Sequence, residues 1–124
     1  MINRKSLIVV MMSIVLSATI FIAAAESNAK QGALPKMLDL GAGKCKQCIQ
    51  MAPILEELKK TYAGKVDVEF VDLFKHQDIG EKYNIEVMPT QIFFDVSGKE
   101  VFRHQGVMSK EEIIAKWKEL GFKF

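Results

Sequence analysis

Along residues 37–121 the apolar positions change period several times, and each change marks an element. Met37-Leu38-Asp39-Leu40 reads as a short strand, which the run Gly41-Ala42-Gly43 is expected to break. Ile49, Met51, Ala52, Ile54, Leu55, Leu58 and Tyr62 then fall largely on one helical face, with Glu56, Glu57, Lys59 and Lys60 between them. Pro53 lies inside that pattern, so a kink is predicted where its amide is missing. Val66, Val68 and Phe70 alternate with Asp67 and Glu69, the signature of a strand running to Leu73. A short helix is predicted over Gln77–Tyr83. An apolar strand follows over Gln91–Val96, then a Ser97-Gly98 turn and a hairpin partner over Glu100–His104. Ser109 and Glu112 form a capping-box pattern ahead of a last helix, whose buried stripe is Ile113, Ile114, Trp117 and Leu120 and whose exit is Gly121.

Strand, helix, strand, helix, hairpin, helix is one parallel crossover feeding an antiparallel pair. That order predicts an α/β protein with a mixed central sheet and helices on both faces.

The first 29 residues follow a different pattern. Arg4 and Lys5 precede an uncharged run of 19 residues, Leu7–Ala25, and small-x-small exits follow at Ala25 and Ala29. This is a secretory signal peptide, or an N-terminal membrane anchor plus a short linker, since 19 apolar residues also suffice to span hydrocarbon. The two exits favour cleavage. Either way the domain at 30–124 is expected to be exported, periplasmic or otherwise extracytoplasmic. Removing residues 1–25 takes two of the 17 bases and leaves 15, matched by 15 acids. A balanced charge gives no electrostatic case for nucleic acid.

Only two cysteines occur, Cys45 and Cys48. A disulfide between them closes so small a loop that it would constrain the unfolded chain little, so chemistry explains the pair better than stapling. Cys45 falls where a loop becomes a helix, near free amides, with Lys44 and Lys46 beside it; all three features favour the thiolate. Cys48 should lie one turn further in, more buried and harder to ionise. The pair thus suits two-step thiol–disulfide exchange, with Cys45 as nucleophile and Cys48 as resolving thiol.

Taken together, Asp39 six residues before Cys45, the Cys45-Lys46-Gln47-Cys48 pair, Pro53, Met88-Pro89-Thr90, Gly98 and Gly106 resemble the thioredoxin family across roughly residues 35–121. The resemblance is nearest to its small exported members. It implies the thioredoxin fold and a protein-disulfide oxidoreductase needing no cofactor beyond its own Cys45–Cys48 disulfide. It also implies a cis-proline at Pro89 facing the dithiol, backbone bonds from Met88 to an extended substrate, and Asp39 as a buried carboxyl moving the proton of Cys48. Lys44 and Lys46 would flank the bound substrate. The implied partners are protein disulfides or dithiols and a membrane thiol reductase as electron donor, with the protein acting as a monomer.

Five positions depart from the family's pattern. Lys44 and Gly41 replace aromatic residues, Lys46-Gln47 replaces Gly-Pro, and Phe70 stands where a lysine usually accompanies the buried acid. Without that lysine Asp39 should be still harder to ionise. The direction of exchange stays open, because Lys46 favours an oxidant while the exported relatives favour a reductant. Oxidation or isomerisation of exported proteins is one alternative, and copper(I) binding by the two thiolates is another. No other metal is expected: beyond the cysteines only His76 and His104 are available, in separate elements, and Ile49 stands where haem attachment would need histidine.

Overall fold

A computed structural model of the protein describes residues 33–124, so the predicted signal or anchor, and the boundary at residues 29 and 30, lie outside the described residues. The described chain runs β1 (Lys36–Gly41), α1 (Lys46–Thr61), β2 (Asp67–Asp72), α2 (Gln77–Lys82), β3 (Thr90–Phe94), β4 (Glu100–Gln105) and α3 (Lys110–Glu119). The strands form one sheet in the order β2-β1-β3-β4. β1 pairs parallel with β2, while β1–β3 and β3–β4 are antiparallel. This is the mixed sheet of the thioredoxin fold that the element order predicts.

Period-two alternation sorts β1 between two cores, one on each face of the sheet. Met37 meets Val68 and Phe93 with Met51, Leu55 and Leu58 of α1 and Ile113 and Trp117 of α3. Leu38 and Leu40 pack with Val71 and Ile92 on the opposite face, where Ile79 of α2, Tyr83 and Ile85 cover them. Asp39 belongs to the α1–α3 face, between Met37 and Gly41. As the central strand β1 is buried on both sides, and its carboxyl has no route to water.

Three local expectations change. Gly41 does not break β1 but ends it, paired with Asp72. Ile49 leaves the buried stripe of α1 and is 56% exposed, lining the cleft beside Cys48. Ala52, expected on the same buried face, is exposed as well, while Pro53 lies inside the helix as the sequence places it, and α1 runs through it as one element to Thr61. At the far end the capping box is complete. Glu112 N–H donates to Ser109 Oγ at 3.3 Å and Ser109 N–H donates to Glu112 Oε2 at 2.8 Å, satisfying two amides that the helix cannot.

Trp117 anchors α3, fully buried and edge-on to Tyr62 with ring centroids 5.1 Å apart. Trp117→Ala should cost about 3–5 kcal/mol, a large part of the stability of a domain this size, and Ser109→Ala about 1 kcal/mol. Chemical denaturation followed by circular dichroism checks both, and the two losses should differ severalfold.

Candidate active site

The site begins with the way α1 starts. Cys45 is the N-cap residue, extended at φ −77° and ψ 123°, and Cys48 N–H donates to its sulfur at 3.3 Å. The sulfur therefore occupies the place of the serine or aspartate oxygen that usually caps a helix. No acid stands in the first turn to oppose negative charge there. The thiol lies 3.9 Å from the carbonyl oxygen of Met88, toward which it donates. It is only partly buried.

Cys48, a turn into the helix, is almost wholly buried. Its sulfur accepts the Ala42 amide at 3.4 Å and packs over Gly41. A Cβ at residue 41 would come within 2.8 Å of that sulfur, so the thiol needs the glycine there. Both cysteines are free thiols in this structure.

Their acidities diverge. Hydrogen bonding from the Cys48 thiol, and then from the Cys48 amide, holds Cys45 below the usual thiol value. Burial, followed by the bond to Cys45, pushes Cys48 up to about 11. Lys44 and Lys46 are exposed beside the pair, but among the described residues neither makes a hydrogen bond or ion pair with the sulfurs. The hydrogen bonds at the cap, rather than the flanking lysines, account for the acidity of Cys45.

The Met88–Pro89 peptide bond is cis. The segment around it is tied down on both sides: Thr90 Oγ1 donates to Val87 O at 2.6 Å and Gly106 N–H donates to Pro89 O at 2.8 Å. An open groove of about 630 Å³ runs alongside Met88, walled by Leu73, Phe74, Ile85 and Glu86. A smaller cleft of about 220 Å³ opens beside Cys48 between Ile49 and Phe70. Exposed Ile49, Phe70, Phe74 and Val87 thus give the surface near the dithiol an apolar character.

Asp39 is fully buried, and burial raises its carboxyl from the usual 3.8 to about 6, against the opposing pull of a hydrogen bond from Gln91. Gln91 Nε2 donates to Asp39 Oδ1 at 2.7 Å across the β1–β3 register. The sequence reading missed this partner. Its signal was a lone carboxamide opening the apolar run 91–94, since a buried polar side chain requires a partner.

The structure thus gathers Cys45, Cys48 and Met88 within contact distance, places Pro89 next to them, and holds Asp39 on the strand beneath. The raised proton affinity of Asp39 has a consequence for stability. Between pH 3.8 and about 6 the folded protein binds the Asp39 proton more tightly than the unfolded chain, so this group loses stabilising effect as pH rises through that window. At pH 7–8 the buried carboxylate should weaken the fold by about 3 kcal/mol relative to a neutral side chain. Asp39→Asn should therefore be more stable than the parent at pH 8 and nearly equal at pH 4, as denaturant midpoints at the two pH values will show.

Comparison with known proteins agrees with this geometry. The family model described as Thioredoxin matches residues 20–119. The chain is 37% identical over 81 residues to Thioredoxin C-2 of Corynebacterium nephridii, covering 65% of this chain and 74% of that protein. With the thioredoxin of Borreliella burgdorferi it is 36% identical over 69 residues, 56% of this chain and 59% of that one. The solved structure of a malaria parasite thioredoxin-2 superposes with a TM-score of 0.65 at 23% identity, covering 69% of this chain and 82% of that chain, a likeness of fold. A dithiol split in acidity at a helix start, on this sheet and within this match, means that the chain belongs to the thioredoxin family of thiol–disulfide oxidoreductases.

Proposed function

We propose that the protein reduces disulfides of other proteins outside the cytoplasm, by dithiol–disulfide exchange through Cys45 and Cys48. The observation that carries the reading is the split between the two thiols: one acidic and reachable, the other buried and pushed up to about 11. In the first step the Cys45 thiolate attacks a sulfur of the partner's disulfide; a mixed disulfide forms and the partner's other sulfur leaves as thiolate. In the second step Cys48 gives up its proton and attacks the Cys45 sulfur. The Cys45–Cys48 disulfide forms, the second partner sulfur leaves, and two electrons have passed from the dithiol to the partner. The groove along Met88 suits an extended substrate segment, since the carbonyl of Met88 lies 3.9 Å from the Cys45 sulfur.

The extracytoplasmic location rests on the basic start, the apolar run Leu7–Ala25 and the alanine exits. In such a compartment a reductant needs electrons from across a membrane, so a membrane thiol reductase is the expected donor. A second reading has one observation in its favour: the lowered pKa of Cys45 stabilises the reduced form, which drives the couple toward an oxidant or isomerase.

The equilibrium reduction potential of the Cys45–Cys48 couple separates the two. A value near about −270 mV supports the reductant, and one above about −180 mV assigns the protein to oxidation or isomerisation. Cys45→Ser should abolish turnover of a disulfide substrate. Cys48→Ala should accumulate mixed disulfides through Cys45, visible as adducts on a non-reducing gel; adducts formed through Cys48 in a Cys45 variant would reverse the roles.

A further inference from the structure

Asp39 and Gln91 face each other on adjacent strands, both shut off from solvent. Their single hydrogen bond uses one oxygen of the carboxyl and the amide nitrogen. Asp39 Oδ2 and Gln91 Oε1 remain buried without a hydrogen-bond partner among the described residues. A buried carboxylate is expensive unless donors or a cation compensate it. The neighbour of Asp39 on β2 is Phe70, which has nothing to donate. Gln91 is therefore the side chain that fixes the orientation of this carboxyl.

The carboxyl and the resolving thiol share one face of one strand. Residues two apart on a strand point the same way, so Asp39 and Gly41 are neighbours on the α1–α3 side, and the Cys48 sulfur sits directly over Gly41. Negative charge on Asp39 raises the proton affinity of both thiols, so the three groups titrate within one another's field. Other titratable groups surround these three. His104 of β4 lies opposite Gln91 in the register with Glu112 of α3 near it, β2 places Phe70 opposite Asp39 and Asp72 opposite Gly41, and Glu56 of α1 lines the cleft beside Cys48.

We propose that Gln91 is a positioning residue for the exchange chemistry: by holding Oδ1, its amide leaves Oδ2 as the carboxyl atom that takes the proton of Cys48. This inference rests on the oxidoreductase reading and deepens it. During resolution the Cys48 S–H bond breaks as an O–H bond forms on Asp39, the freed thiolate attacks Cys45, and the departing partner thiolate carries the proton away. A carboxamide does here by orientation what a neighbouring cation would do by charge. Its removal should change when the carboxyl is ionised, and through that the pH dependence of Cys48, without touching either sulfur.

The test follows the carbon-13 titration of Asp39 and the pH profile of Cys48 alkylation in the reduced full-length protein and in Gln91→Met, which keeps volume but lacks the donor. Loss of one hydrogen bond to the charged form should raise the Asp39 midpoint by about one pH unit, and the Cys48 profile should move with it. In an Asp39→Asn background the same Gln91→Met change should leave the Cys48 profile where it was. An unmoved Asp39 midpoint overturns the proposal, as does a Cys48 shift of equal size with and without the carboxyl, which would mark a merely structural role. Should Gln91→Met fail to fold, Gln91→Glu preserves the shape. Two facing carboxyls must then share a proton and one must titrate well above the parent midpoint; independent titration of both would overturn the assignment. Neither readout uses a disulfide substrate, so failure to reduce any protein disulfide would sink the functional reading separately.

Discussion

A carboxyl on the central strand, closed off from water and given one amide donor in place of a cation, underlies a dithiol whose acidities are set by hydrogen bonding and burial. It adds its own smaller pull to both thiols. β1 has neighbours on both edges and helices on both faces, so nothing on Asp39's side of the sheet can relax toward solvent. The carboxyl settles its cost by binding protons more tightly, to about pH 6. The group is thus poised near neutrality, where a small change in its surroundings alters its charge. Stability is given up two residues from the glycine that the Cys48 sulfur packs over.

The two thiols are distinguished by where the helix places them. Cys45 ends the loop and caps the helix with its sulfur; Cys48 begins the helix interior and is sealed by Gly41, Ala42 and the β-sheet. One amide, that of Cys48, serves both: it belongs to the buried residue and stabilises the exposed one. A spacing of two intervening residues brings this about, because an N-cap side chain accepts from the amide three residues on. The acidity of Cys45 then comes from hydrogen bonds within the pair, from the Cys48 thiol first and its amide second.

Much of this was legible from local patterns. Alternation in 66–70, the helical stripe of 51–58, the Ser109–Glu112 box and the cysteine spacing each carry their meaning within a few residues, and each element appears within a residue or two of its predicted bounds. What escaped was information held by register. Asp39 and Gln91 are 52 positions apart, and only the pairing of β1 with β3 brings them together. Gly41 reads locally as a breaker, although its role is set by a sulfur seven residues later. Ile49 has the right period for the core but lines an open cleft beside Cys48 and Phe70. In each case the periodicity was right and the neighbour was not knowable from the segment alone.

Gly41 shows where such a site is fragile. Its backbone is ordinary strand, and any residue could adopt that conformation. Its importance is an empty space the size of a methyl group, filled by the Cys48 sulfur. A search for functional residues by their reactive groups would pass over it, since it has none. Yet alanine, the mildest replacement there is, would press on the resolving thiol while leaving hydrophobic patterning and charge intact. Lineages diverging from this chain would thus be free to vary the exposed residues around the dithiol and confined at a position with no side chain.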